Sequence, residues 1–140
     1  MIFLSRLLLL LIASAAALPA QKIRIGLIGL DTSHVIAFTS LLNEEQNPSH
    51  IPGATVTAAY RGGSLDIPSS INRVSGFTKT LTEKYGVRIY DNIPDMCKQV
   101  DAILLTSLDG RTHLEQVKPV LAAGKPVFID KPLAGSLKEA

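Results

Sequence analysis

Ile23-Arg24-Ile25-Gly26-Leu27-Ile28-Gly29-Leu30-Asp31-Thr32-Ser33-His34 is the stretch whose reading decides the fold. Ile23 to Ile28 is an apolar, β-branched run closed by Gly29, the pattern of a buried first strand. Asp31, Thr32 and Ser33 then offer helix N-cap side chains. Val35, Ile36, Phe38, Thr39, Leu41 and Leu42 carry a helical period to about Glu45, and Asn47-Pro48 breaks it. A buried strand that turns through glycine directly into a helix is the opening of a parallel α/β unit.

The alternation continues outward from this unit. Ala54 to Tyr60 predicts a second strand, followed by a loop through Arg61-Gly62-Gly63-Ser64 and Ile67-Pro68-Ser69-Ser70. Ser69 or Ser70 is placed to cap a helix running to about Tyr85 and stopped by Gly86. Val87 to Tyr90 is a short third strand. Asn92 to Gln99 is a short helix with Pro94 in its first turn. Asp101 to Thr106 is a fourth strand, and Thr112 to Ala123 a helix ending at Gly124, which suits a left-handed C-cap. Pro126 to Ile129 is a fifth strand, and Ser136 opens a further helix within about one turn of Ala140. Strands and helices alternating in this way predict an α/β fold with a doubly wound parallel sheet.

Composition agrees with a folded domain. The 140 residues carry 14 Lys and Arg against 12 Asp and Glu, a net charge of +2, with 46% hydrophobic and 19% charged residues. That balance is globular. It lacks the concentrated basic face of a nucleic-acid protein, and with 5% aromatics and no Trp it lacks a base-stacking platform. The length suits about one domain.

Residues 1–20 stand apart. Arg6 precedes the apolar run Leu7 to Ala13, extended by Ala15-Ala16-Ala17-Leu18. The run is shorter than the roughly 20 residues of a spanning helix, and small residues follow it as a signal-peptidase site requires. The expectation is a signal peptide over 1–20 and a domain over 21–140, exported to a periplasmic or secreted location, with no stable membrane span after cleavage. Ala15 and Ala17 suit cleavage after Ala17; cleavage after Ala20 would place Leu18 where a small side chain is preferred. An uncleaved anchor is the alternative. The single n-region Arg does not support a twin-arginine route. The sole cysteine, Cys97, lies far from the leader and has no disulfide partner, so it reads as a core residue.

In a parallel α/β sheet, ligands bind beyond the carboxyl ends of the strands. The loops concerned are Gly29–His34, Arg61–Ser70, Thr106–His113 and Asp130–Leu133. The start of the first helix presents N–H groups and a positive dipole end suited to pyrophosphate. The dinucleotide fingerprint G-x-G-x-x-G is kept only at its first glycine, Gly29; Asp31 and His34 stand at the other two positions. A carboxylate about 4 Å from a phosphate costs roughly 1 kcal/mol in water and about 4 at intermediate dielectric. Either Asp31 turns away to cap the helix, or the loop binds a dinucleotide poorly. At the end of the second strand there is no acid to bond the adenosine ribose. Arg61 there suits a 2′-phosphate instead, favouring NADP over NAD; a solvated loop arginine is the alternative. His113 reads as a helix-start or packing residue, and Asp109 and Arg111 as turn residues. No Cys/His set has metal-ligand spacing, and no G-x-S-x-G elbow is present.

Asp130-Lys131-Pro132 follows the fifth strand. With Ile25-Gly26-Leu27-Ile28-Gly29, Val100 to Leu105, His113, and Ala123 to Pro132 in order, the chain from about Lys22 to Ala140 resembles the glucose–fructose oxidoreductase / inositol dehydrogenase (Gfo/Idh/MocA) family. The resemblance implies a Rossmann-like NAD(P)-binding domain followed by a substrate domain, and hydride transfer on sugars, polyols or related compounds. In the family motif Glu-Lys-Pro the lysine lies near the nicotinamide and the reacting carbon. It thereby marks Lys131 as catalytic and Pro132 as the proline that often follows a cis peptide bond. Asp130 stands for the usual Glu, with the same charge and a shorter reach. Cofactor-binding residues are expected at Gly26, Gly29, Leu30, Asp31, Thr32, Ser33, His34, Arg61, Thr106, Lys131 and Pro132, with no metal site. The second, substrate domain, which supplies the family's catalytic histidine and nearby acid, is expected to be absent from this chain. A non-catalytic nucleotide- or ligand-binding module, or a truncated product that needs a partner chain, are the competing readings. An unclosed sheet would leave apolar surface for a partner or for a homo-oligomer.

Overall fold

The computed structural model describes residues 21–140; the expected signal peptide over 1–20 and its candidate cleavage sites lie outside the described residues. The elements in chain order are β1 (Ile23–Ile28), α1 (His34–Asn43), β2 (Ala54–Tyr60), α2 (Pro68–Tyr85), β3 (Arg88–Tyr90), α3 (Ile93–Cys97), β4 (Ala102–Leu105), a 3-10 turn (Gly110–Thr112), α4 (His113–Ala122) and β5 (Val127–Ile129). The sheet order is β3-β2-β1-β4-β5 with every pair parallel. The chain winds outward from β1 to β3, then returns to the other side of β1 for β4. That reversal puts the topological switch point at the carboxyl ends of β1 and β4, where such sheets bind ligands.

Alternating strand residues feed two cores. On one face Ile25, Leu27, Val56 and Ala59 pack with Leu30, Val35, Leu81 and Val87 beneath α1 and α2. On the other, Ile28, Ala58, Ile103 and Leu105 pack with Met96, Cys97, Val117 and Val120 beneath α3 and α4. Each fully buried aliphatic side chain contributes roughly 1.5–3 kcal/mol. A register shift between Ile25 and Gly26 pairs them with Val56 and Ala58, leaving Thr57 as an extra residue in β2. This bulge lets Val56 and Ala59, three residues apart, share one core. Beside it, Asn43 at the end of α1 donates to Val56 O (2.9 Å) and accepts from Val56 N (2.8 Å). On the other side of β1, at the same end of the sheet, the Arg24 guanidinium forks onto Asp101 at 2.9 and 3.0 Å, fixing β1 against the start of β4. That pairing holds the Asp101 carboxyl well below the ordinary range, through side-chain and backbone bonds from Arg24.

Helix ends depart from expectation in three places. Helix α2 begins at Pro68 with Ile67 as its cap residue; proline pre-sets the first helical position, so Ser69 and Ser70 lie inside the helix and cap nothing. Helix α3 runs only from Ile93 to Cys97, with the Asn92 side chain accepting from Asp95 N. The residues after Ser136 form one turn, closed by Glu139 N and Ala140 N on Ser136 O, too short a run to propagate as a helix. The C-terminal glycines behave as read. Gly86, with a φ of 66°, closes α2 through Gly86 N to Thr82 O and Val87 N to Leu81 O. Gly124, with a φ of 64°, follows α4. Cys97 is buried.

Candidate functional site

The β1–α1 loop is built on one close approach. At Gly29 the φ is 88°, and a Cβ there would stand 2.4 Å from Ser107 Cα and 2.5 Å from Ser107 N. Only glycine lets the β1 loop lie against the β4 loop. The Thr106 hydroxyl donates to the carbonyls of Ile28 (3.0 Å) and Gly29 (2.9 Å) from the β4 side. On the β2 side, Gly29 N donates to Tyr60 O and Leu30 N to Arg61 O. The three strand ends at the switch point are thus hydrogen-bonded to one another.

Asp31 points inward. It is 1% exposed and accepts from the Ser70 hydroxyl at 2.6 Å and from Leu108 N at 3.0 Å. It turns away, as one of the two readings had it, but it does not cap its own helix. The carboxylate has left the phosphate position and ties α2 and the β4 loop to the β1 loop. Ser70, misread as a helix cap, also accepts from Ser64 N (2.8 Å), and the Ser64 hydroxyl donates to Asp109 (2.7 Å). Asp109 caps the 3-10 turn through Arg111 N. Its carboxyl lies well below the ordinary range, chiefly because the Arg111 side chain donates to it, and burial offsets this only in part. Arg111 also pairs with Asp66. This chain of buried polar groups, Asp31–Ser70–Ser64–Asp109, is satisfied throughout.

With Asp31 withdrawn, the start of α1 is open. Among the described residues, the amides of Thr32 and Ser33 have no protein acceptor, and His34 N meets Thr32 Oγ1 at 3.3 Å. Ser33 is exposed at this end, where the helix dipole favours an anion. Arg61 is exposed at the end of β2, beside Gly62 and Gly63, both with positive φ. Leu30 is fully buried in the core, so only its backbone faces the loop. Gly26 is not at the loop at all. It lies mid-strand in β1, where a Cβ would meet Ile103 Cδ1 at 2.8 Å and Met96 at 3.3 Å; its task is to admit α3 against the sheet.

Beyond β5, Asp130 N donates to Leu105 O at 2.9 Å. The Lys131–Pro132 peptide is cis, as the resemblance implied. The segment then folds back: a Cβ on Gly110 would meet Ala134 at 2.7 Å and Pro132 at 2.9 Å. His113, 1% exposed at the start of α4, holds this return from below. Its Nε2 faces Ser107 O at 2.8 Å and its Nδ1 faces Leu133 O at 3.2 Å. Both ring nitrogens thus face backbone carbonyls, one in the β4 loop and one in the turn beyond β5. His113 is therefore a packing residue. Lys131 is exposed, and among the described residues its ammonium has no partner. His34 reaches the same turn: its Nδ1 bonds Asp130 Oδ2. Two pairings, Ser70 with Asp31 and His34 with Asp130, were missed from sequence; each joins residues 39 or 96 positions apart, with no local pattern to reveal it.

Dinucleotide phosphates suit this donor set, with two open amides at a helix start, a glycine-only turn and a nearby arginine, the carboxylate being turned away. Fold and site together define a dinucleotide-binding domain of Rossmann type. The model of the oxidoreductase family with NAD-binding Rossmann fold (GFO_IDH_MocA) matches residues 23–140, and the chain belongs to that family. It is 40% identical over 76 residues to an inositol 2-dehydrogenase of Serratia proteamaculans, a match covering 53% of this chain and 22% of that protein. Its structure is similar to myo-inositol 2-dehydrogenase from Lactobacillus plantarum, with 25% identity, a TM-score of 0.57, and coverage of 85% of this chain and 31% of that one. It is also similar to KijD10, a 3-ketoreductase from Actinomadura kijaniata solved with TDP-benzene and NADP, with 25% identity, a TM-score of 0.54, and coverage of 85% and 33%. The chain thus spans about a quarter of the curated relatives' length and about a third of the solved structures'. Among the described residues, no helix is long and apolar enough to cross a membrane.

Proposed function

We propose that this chain is the cofactor-binding part of an exported oxidoreductase that transfers hydride between NADP or NAD and a sugar, polyol or related alcohol. The observation that carries the reading is the withdrawal of Asp31 into the Ser70 and Leu108 bonds, which opens the α1 start to a pyrophosphate despite the lost glycines. Thr32 and Ser33 hold phosphate oxygens through their amides. Arg61 takes the ribose end and favours a 2′-phosphate. When bound, the nicotinamide supplies the hydride acceptor or donor. Lys131, whose ammonium has no partner among the described residues, would present it to the reacting oxygen and stabilise charge developing there. The sugar or polyol class follows from the inositol 2-dehydrogenase relatives. Export rests on Arg6, the apolar run and the small residues before Ala20. An exported enzyme of this kind keeps its cofactor bound, because free dinucleotide is scarce outside the cytoplasm.

The test is calorimetric titration of NADP⁺ and NAD⁺ against the purified chain. Saturable binding with NADP⁺ tighter than NAD⁺ is expected; heats no larger than dilution for both overturn the reading. Native mass spectrometry of the protein taken from the exported fraction tests the rest. Mass in excess of the polypeptide, matching a dinucleotide, supports retention. Recovery only inside the cytoplasm with residues 1–20 still attached overturns export.

A further inference from the structure

Two replacements of the family pattern, His34 at the third fingerprint glycine and Asp130 at the usual glutamate, are 96 residues apart and touch each other: His34 Nδ1 bonds Asp130 Oδ2. We infer that the two act as one device, and that His34 is a positioning residue which holds the Lys131 turn through Asp130. This rests on the proposed reading of Lys131, and the geometry supports it from both ends.

His34 is the first residue of α1, so its backbone belongs to the phosphate-binding loop. Its ring lies against Phe38 (centroids 5.8 Å), and Phe38 meets Phe128 of β5 edge-on at 6.4 Å. The imidazole is thereby held over β5 by packing as well as by the carboxylate. Asp130 is held on three sides: its amide donates to Leu105 O (2.9 Å), Oδ2 takes the His34 ring, and Oδ1 accepts from Lys131 N at 2.9 Å. Only 12% of its side chain is exposed, against 36% for His34. The carboxylate is thus the hinge pin between the ring and the lysine backbone. The His34 ring, carried at the start of α1, meets the Asp130 carboxylate beyond β5, and through it the cofactor loop is joined to the lysine turn. A carboxylate that orients an imidazole, or is oriented by one, is a familiar way to fix a neighbouring functional group.

The test reads the lysine turn directly in the ligand-free chain, by amide hydrogen exchange followed residue by residue. His34→Ala is expected to raise exchange of the Lys131 amide about tenfold, the loss of one charge-assisted bond, while Gly29 N, bonded to Tyr60 O, keeps its protection. Asp130→Asn, of the same shape, is expected to do likewise. Unchanged Lys131 exchange in folded His34→Ala overturns the inference, as does a uniform loosening that includes Gly29. Should neither single variant fold, the unmutated chain decides: a far-downfield His34 ring N–H resonance that disappears when Asp130 is protonated is required, and its absence overturns the inference. These readouts contain no dinucleotide, so failure of NADP⁺ and NAD⁺ binding removes the functional reading while the exchange result stands on its own.

Discussion

The Ser70 hydroxyl donates to the Asp31 carboxylate at 2.6 Å, inside the protein, from the first turn of one helix to the loop before another. The same carboxylate accepts from Leu108 N. An aspartate at the second fingerprint position is therefore a tie between α2 and two loops. Asp31→Ala leaves the buried Ser70 hydroxyl and the half-buried Leu108 amide without an acceptor, at about 1–3 kcal/mol for a buried group. The expected loss is about 2–4 kcal/mol in urea denaturation, with Asp31→Gly at least as costly although it restores the fingerprint glycine. A variant within about 0.5 kcal/mol of the unmutated chain would show the tie to be idle.

The sequence made some of this legible and hid the rest, for physical reasons. The Ile23–Ile28 run, the glycine turn and the helical period after it are local patterns, and β1 and α1 appear where those patterns place them. The parallel order followed from alternation. Gly86 and Gly124 were legible because a left-handed cap is a single-residue property. Gly26 was misassigned because its reason is Met96 and Ile103, contacts from distant elements. The extra Thr57 in β2 leaves no mark in composition. Asp31 was seen as anomalous, but its partner Ser70 looked like a cap because Pro68 had taken that task. The His34–Asp130 contact showed only as departures from two separate motifs, with nothing local to join them.

Gly29→Ala tests the close approach at the switch point. The new methyl would lie within 2.5 Å of Ser107 backbone atoms at a φ of 88°, combining a left-handed penalty with an overlap that neither loop can relieve cheaply. Destabilisation of about 3 kcal/mol or more is expected, seen as a fall in thermal midpoint or loss of soluble protein. A stable variant would mean that the β1 and β4 loops are free to part.

Arg61→Ala tests the cofactor preference. Exposed at the end of β2, Arg61 contributes little to the fold, and in the proposed reading it makes a charge-assisted contact to a 2′-phosphate. NADP⁺ affinity should fall about tenfold or more while NAD⁺ affinity changes about twofold or less. Equal loss for both cofactors would place Arg61 on the pyrophosphate instead.

Acid stability should report on Glu44, which follows α1. Its carboxyl is lowered from 4.5 to about 2 by bonds from Lys84, Ser40 and Tyr85, in that order. Lys84 sits 2.6 Å from it, and the Ser40 and Tyr85 hydroxyls both donate at 2.7 Å. A depressed carboxyl gives its stabilisation fully above the unfolded value and loses it as pH falls through the folded one. Its share therefore disappears between about pH 4.5 and 2. Glu44→Gln should flatten that part of the stability curve, and an NMR titration of the Glu44 carboxyl carbon should find its midpoint near 2. A midpoint near 4.5 would mean the α1–α2 link is not formed in solution.

Lys131→Ala separates binding from chemistry. The lysine ammonium has no partner among the described residues, and its backbone, not its side chain, is what Asp130 holds. Truncation therefore leaves the turn, the His34 link and the phosphate-binding amides in place. Dinucleotide affinity should change by less than about threefold. In a form of the protein that carries a substrate domain, turnover should fall by about a hundredfold or more, the scale of losing one preorganised charge at a reacting oxygen. Lys131→Arg retains charge but not the compact ammonium, and should recover only part of the rate. If cofactor affinity and turnover fell together and by the same factor, the ammonium would be binding the dinucleotide and the catalytic assignment would move elsewhere.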